Sequence, residues 1–138
     1  MKRRVLFLCT GNLARSQMAE GLLRHLASDR FKVDSAGTHP VGLNPCAIES
    51  MHEIGVDISQ HRSKKMSEFM NEPFDYVITV CERAKDSCPL WPHAAKLIHW
   101  GFEDPAEAKG SPEERQGLFR KVRNEIRARI EEFIRAPQ

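Results

Sequence analysis

The sequence predicts one α/β domain of three layers, a four-stranded parallel sheet with helices on both faces. Two patterns lead to this fold class. Short runs of almost purely apolar residues, typical of strands buried on both faces, alternate with stretches whose apolar residues recur at helical spacing. The length of 138 residues fits a single domain, residues 1–138, without an internal repeat or a linker.

Two strands and two helices are expected in the first half of the chain. The apolar run at residues 5–8 predicts the first strand, and helical spacing of apolar residues predicts a helix over roughly 16–28. Residues 31–36 predict the second strand. The next helix should start at Asn44-Pro45, because an Asn cap followed by a first-turn proline is a typical helix start.

The second half of the chain continues the alternation. Residues 63–70 are expected to form a shorter helix, followed by strands at 76–80 and 96–99. Ser111 and Glu114 then form a capping-box pattern around a first-turn proline, and a long amphipathic helix follows them. Because strands alternate with helices, the sheet should be parallel and both of its faces should be covered.

Composition and charge exclude several classes of protein. The formal net charge of +2 is too small to indicate nucleic acid or a membrane surface as a partner. No apolar run reaches the roughly 18–20 residues that span a bilayer. The basic residues 2–4 precede an apolar run that stops at Cys9, which is shorter than the roughly 7–15 apolar residues of an export signal. We therefore expect a cytoplasmic protein.

The four cysteines, Cys9, Cys46, Cys81 and Cys88, are not spaced as in a zinc knuckle or a thioredoxin motif. A cytoplasmic chain of this length does not need disulfides to hold its core together. Each cysteine is therefore either a buried small residue or a reactive group, and no metal site is expected. We interpret Cys46, on the second predicted helix, as a structural or bystander thiol.

The loop after the first strand has the composition of an anion-binding site. It leads from Cys9 to Arg15 and Ser16 through Thr10, Gly11, Asn12, Leu13 and Ala14. Gly11 and Asn12 tolerate positive φ, so the loop can curl its N–H groups inward ahead of a helix N-terminus. Arg15 can close over the anion as a bidentate fork, and Ser16 can donate to a thiolate. The positive potential would lower the pKa of the Cys9 thiol, which is placed to attack the central atom of a tetrahedral oxyanion.

Two further cysteines and an aspartate complete the candidate site. Cys81 ends the third predicted strand, and Cys88 follows seven residues later. A helix between them would hold their Cα atoms about 10 Å apart, whereas a disulfide needs less than about 7 Å, so a bond between them requires the segment to unwind or loop. The pair is either inert and buried or acts opposite Cys9. Asp104, fixed by the proline after it, is either a general acid or a turn and capping residue.

These motifs closely resemble those of the thioredoxin-coupled arsenate reductases, which share the fold of the low-molecular-weight protein tyrosine phosphatases. The resemblance covers essentially the whole chain. It is carried by residues 9–21, 34–37, 44–45, 57–59, 79–81, 88–89 and 99–105. The presence of both Cys81 and Cys88 is its most discriminating part, because the phosphatases lack that relay.

The resemblance implies a thiol relay. Cys9 attacks arsenate, which Arg15 and the loop amides hold, and Asp104 protonates the departing hydroxide. Cys81 then attacks Cys9, which releases arsenite and leaves a Cys9–Cys81 disulfide. Attack by Cys88 gives a Cys81–Cys88 disulfide, which thioredoxin, the external reductant, reduces. The implied activity is arsenate reduction in arsenic detoxification, with phosphate or sulfate as substrate analogues, a weak phosphatase side activity and no tightly bound cofactor.

Two positions depart from the pattern of the relatives. Ala14 stands where many relatives carry a further cysteine, which is not part of the relay. Some relatives bind a potassium ion near Asn12, Glu20 and Ser35 with the help of an aspartate, and Lys64 occupies the matching position here. An ammonium there could replace the ion, so we do not expect a potassium site. The alternative is that Lys64 points to solvent.

Two other functions fit part of the pattern. A phosphatase acting on phosphotyrosine or a small phosphoester would need only Cys9, Arg15 and Asp104, but it leaves Cys81 and Cys88 unexplained. An arsenite-binding or redox-sensing module would use the thiols, but it gives Arg15 and Asp104 no task. Activity with arsenate and thioredoxin, compared with hydrolysis of p-nitrophenyl phosphate, distinguishes these functions.

Overall fold

Four parallel strands form one sheet in the computed structural model, which describes residues 2–9, 14–38, 42–81 and 94–136. The strands are β1 (Arg3–Cys9), β2 (Phe31–Gly37), β3 (Phe74–Cys81) and β4 (Ala94–Phe102). Their order across the sheet is β2-β1-β3-β4, and every pairing is parallel. This confirms the predicted fold class.

Three α-helices pack against one face of the sheet. They are α1 (Arg15–Ala27), α2 (Pro45–His52) and α3 (Pro112–Arg135), and their apolar residues share one core with those of the strands. The predicted helix starts are confirmed, because the Asn44 side chain accepts from the Cys46 N–H and Ser111 forms a capping box with Glu114. Local side-chain hydrogen bonds therefore set where α2 and α3 begin.

The opposite face of the sheet carries a second, smaller apolar cluster. Leu6, Leu8 and Val77 are buried there, and Met66 and Phe69 pack against them. In the described part of the chain this cover comes from a 3-10 turn and the residues that follow it. Both faces of the sheet are covered, as the sequence predicts.

The expected helix over residues 63–70 shrinks to a 3-10 turn over Met66–Glu68. The Gly37 N–H donates to the Lys64 C=O, and Lys65 forms a parallel bridge with Gly37 at the edge of the sheet. This pairing holds the chain extended up to Lys65, so helical geometry can start only after it.

The strand register brings three strand ends to one edge of the sheet. Leu8 of β1 pairs with Thr79 of β3, so Cys9 and Cys81 close neighbouring strands at the same edge. Cys81 in turn pairs with Phe102, the last residue of β4. Ligands of parallel sheets bind at the carboxyl ends of the strands, and this edge therefore holds the candidate site.

Candidate active site

Cys9 lies at the carboxyl end of β1 and is only 2% exposed. The loop residues Thr10, Gly11, Asn12 and Leu13 lie outside the described residues, and so do Cys88 and the side chain of Cys81. Their roles in binding and in the relay therefore stay predictions. Cys46 is half-buried near the start of α2, and its C=O accepts from Gln116 of α3, consistent with a structural position.

Arg15, the first residue of α1, is held from two sides. Its Nη1 donates to the C=O of Phe102 at 2.9 Å, and its Nη2 lies 3.4 Å from Oδ2 of Asp104. The side chain is nearly buried, and its Nε has no hydrogen-bond partner among the described residues. The end of β4 thus fixes the guanidinium in place while one buried N–H remains available to a ligand.

The N-terminus of α1 suits an anion. Ala14 occupies the N-cap position and offers no side-chain hydrogen bond, and the first turn contains no acidic residue. The first N–H groups of a helix have no partner within the helix, and they carry partial positive charge. Ser16 is fully buried in this first turn. The helix therefore leaves its positive end to whatever the preceding loop binds.

Asp104 takes both of the roles between which the sequence did not decide. Its Oδ1 accepts from the Ala106 N–H at 2.9 Å and so caps a 3-10 turn over Pro105–Glu107. Its Oδ2 faces Arg15, and about a quarter of its side chain is exposed. One oxygen is therefore structural, and the other is directed to the candidate site, where a general acid is needed.

A buried charged network lies behind this site. Glu20 of α1 is 3% exposed; its Oε1 accepts from the Ser35 hydroxyl and lies 3.3 Å from Nζ of Lys64. Its Oε2 lies 2.8 Å from Nη2 of Arg24. Lys64 is itself only 8% exposed, so the alternative that it points to solvent is wrong. The ammonium instead neutralises a buried carboxylate.

Sequence reasoning missed His61, which extends this network. Its Nδ1 lies 3.0 Å from Oε1 of Gln17, and its Nε2 lies 3.2 Å from Nη1 of Arg24. The amide oxygen can only accept and the guanidinium can only donate, so the ring is neutral with its proton on Nδ1. Burial lowers the pKa of His61, and the nearby Glu20 carboxylate opposes that shift. No local sequence pattern marks this residue, because its partners lie about 40 positions away in the chain.

The described residues contain no cluster of three or more His, Cys, Asp or Glu side chains able to hold a metal ion. None of the described helices combines the length and the apolar character needed to cross a membrane.

Comparison with known proteins relates this geometry to a family. Residues 4–137 match the family model of the low molecular weight phosphotyrosine protein phosphatases. An arsenate reductase of Shouchella clausii is 49% identical over 132 residues, which cover 96% of this chain and 95% of that protein. A solved arsenate reductase in the phosphate binding state superposes with a TM-score of 0.82 at 31% identity and covers 99% of both chains.

A thioredoxin-dependent arsenate reductase of Corynebacterium glutamicum also has this fold. It is 31% identical with a TM-score of 0.76, and the match covers 98% of this chain and 61% of that one. The match of the family model over nearly the whole sequence agrees with the fold and with Arg15 and Asp104 at the edge of the sheet. The chain therefore belongs to the low molecular weight phosphotyrosine protein phosphatase family and, within it, to the arsenate reductases.

Proposed function

We propose that this protein reduces arsenate to arsenite by a relay of three cysteines, with thioredoxin as the reductant. The proposal is supported by relatives that are arsenate reductases, one of them thioredoxin-dependent, and by cysteines at the positions the relay needs. The reaction takes place in the cytoplasm, where thioredoxin keeps protein thiols reduced.

One observation carries the proposal: Cys9 and Cys81 end neighbouring parallel strands at the same edge of the sheet. Leu8 pairs with Thr79, so Cys9 and Cys81 are one residue out of register. With strands about 4.8 Å apart and a rise of about 3.3 Å per residue, their Cα atoms lie about 6 Å apart. Disulfides form across Cα separations of about 4.4–6.8 Å, so a Cys9–Cys81 bond needs little movement of the strands.

The first half of the reaction uses groups that a phosphatase would share. The loop amides and the helix end bind the arsenate oxyanion, and Arg15 supplies a fixed guanidinium with a free buried N–H. The Cys9 thiolate, to which Ser16 donates, attacks arsenic. Asp104 gives its proton to the departing hydroxide, which leaves as water.

The second half transfers the electrons. Cys81 attacks the sulfur of Cys9, an S–S bond forms, and the electron pair of the S–As bond stays on arsenic. Arsenate is thereby reduced from As(V) to As(III), and two thiols are oxidised to one disulfide. Cys88 then attacks Cys81 and expels the Cys9 thiolate. The dithiol of thioredoxin reduces the resulting Cys81–Cys88 bond, which completes the cycle.

Lys64 makes a potassium ion unnecessary for this cycle. Its Nζ lies 3.3 Å from Glu20 and 3.1 Å from the Arg62 C=O, in a position where it neutralises the buried carboxylate. A cation bound between Glu20 and Ser35 would compete with this ammonium for the same oxygens. We therefore propose that the enzyme works without a tightly bound cofactor or ion.

A reconstituted assay tests the function. The protein is combined with thioredoxin, thioredoxin reductase and NADPH, and oxidation of NADPH is followed after arsenate is added. Turnover should require arsenate and disappear in Cys9→Ser, Cys81→Ser and Cys88→Ser. The matched control Cys46→Ser should keep it. Full turnover in Cys81→Ser would contradict the relay.

A phosphatase is the second candidate, because Cys9, Arg15 and Asp104 suffice for attack on a phosphoester. We expect weak hydrolysis of p-nitrophenyl phosphate that survives the loss of Cys81 and Cys88. Strong hydrolysis without arsenate-dependent NADPH oxidation would make phosphoester cleavage the main activity.

A further inference from the structure

A hydrogen bond joins β3 to β4 close to the second cysteine of the relay. Oγ1 of Thr79 lies 2.6 Å from Nδ1 of His99, and the two residues are register partners in the sheet. Thr79 is 4% exposed, whereas His99 is exposed. Neither side chain has a part in the relay described above.

The pair lies beside Cys81 in the sheet. Cys81 is two residues further along β3 than Thr79, a separation of about 6.6 Å. Alternate residues of a strand belong to the same face, so these two positions share a face of β3. The register shift nearby adds its extra residue to β4, between His99 and Phe102, and leaves the alternation of β3 unchanged. An imidazole on Thr79 is therefore within a side chain's length of Cys81.

The relay needs a base at this place. Only a thiolate attacks a sulfur atom, and at pH 7 a thiol of ordinary pKa is ionised to only a few per cent. We propose that His99, oriented by Thr79, accepts the thiol proton of Cys81 when Cys81 attacks Cys9. This inference rests on the proposed arsenate reduction and assigns a base to its second step.

The hydrogen bonds define which nitrogen acts. The Thr79 hydroxyl accepts the proton of Nδ1 and directs its own proton to the C=O of Ile98, 3.5 Å away. Nε2 of a neutral ring then carries a lone pair and is the proton acceptor. The proton moves from Sγ of Cys81 to Nε2, the S–S bond forms, and arsenite leaves with the electron pair. Because His99 is exposed, the imidazolium returns its proton to solvent.

The test isolates the second step in a Cys88→Ser background, in which the reaction stops at the Cys9–Cys81 disulfide. A single turnover with arsenate is quenched at intervals, and the disulfide is measured by mass spectrometry. His99→Ala should slow its formation by about 10–30-fold at pH 7, because only the small thiolate fraction of Cys81 would react. Added imidazole should restore much of the rate. His25→Ala, an exposed histidine of α1, is the matched control and should change nothing.

Further variants separate the chemistry from a structural role. Hydrolysis of p-nitrophenyl phosphate, which needs Cys9 but not Cys81, should be unchanged in His99→Ala and so shows that the fold is intact. His99→Gln, which keeps a polar side chain, should be as slow as His99→Ala. Thr79→Ser should keep the rate and Thr79→Val should lower it, since Thr79 acts as a positioning residue.

Two results would overturn the assignment. An unchanged rate of disulfide formation in His99→Ala, or a slow rate that imidazole does not restore, would remove His99 from proton transfer while leaving the relay intact. A Cys88→Ser parent that forms no Cys9–Cys81 bond with arsenate would instead refute the proposed function, and the role of His99 with it.

Discussion

Replacing Lys64 by methionine tests the role of the buried network. The two side chains are similar in length, so the substitution mainly removes the ammonium that lies 3.3 Å from Glu20. Removing one partner of a buried ion pair costs about 3–5 kcal/mol. Here Glu20 keeps Arg24 at 2.8 Å and the Ser35 hydroxyl, so we expect a smaller loss, about 1–3 kcal/mol.

Potassium should then restore part of the lost stability. Without the ammonium, Glu20 and Ser35 offer their oxygens to a bound cation. A site filled at ten times its dissociation constant stabilises the folded protein by about 1.4 kcal/mol. Urea denaturation in potassium chloride and in choline chloride, at equal ionic strength, measures this effect. The wild type should respond equally to both salts.

Lys65→Met provides the control, because Lys65 is the neighbouring residue and is exposed. Its free energy of unfolding should stay within about 0.5 kcal/mol of the wild type. The reasoning fails if Lys64→Met loses no more stability than Lys65→Met. It also fails if the wild type gains as much from potassium as the variant does.

Three further predictions follow from single contacts. Arg15→Lys should lower turnover by about 10²-fold or more, because an ammonium cannot hold Phe102, Asp104 and two oxyanion oxygens together; steady-state kinetics showing a change of only a few-fold would give Arg15 a structural role. Asp104→Asn should slow turnover by about 10²–10⁴-fold and leave sulfate affinity, measured by titration, nearly unchanged, because Asn keeps an oxygen for Ala106; an equal collapse of binding would argue against a general acid. Because burial lowers the pKa of His61, the unfolded chain binds more protons, so the free energy of unfolding should fall as pH drops below about 6.5. Urea denaturation should show this decline and a weaker one in His61→Gln; equal slopes would exclude His61 as its cause.

Local chemistry explains which parts were predictable from the sequence. The loop from Cys9 to Arg15 is contiguous, so its position between a strand and a helix follows from its own residues. Asn44 and Ser111 cap helices through hydrogen bonds that span two or three residues. Asp104 was singled out because the proline after it fixes the backbone.

Contacts distant in sequence explain what could not be predicted. The helix expected over residues 63–70 is displaced by pairing with Gly37, which no local pattern reveals. The ion pair of Lys64 with Glu20 joins residues 44 positions apart. Whether Lys64 is buried is decided by the packing of α1 against the edge of the sheet, so solvent exposure remained an open alternative until the structure was known.

Mapping of the disulfides formed in a single turnover with arsenate tests the relay most directly. The wild type should end with Cys81 joined to Cys88, Cys88→Ser should end with Cys9 joined to Cys81, and Cys9→Ser should form neither bond. Each product is identified by peptide mass before and after reduction, and arsenite is measured in the same sample. A main product that contains Cys46, or arsenite released while Cys81 remains a thiol, would contradict the account.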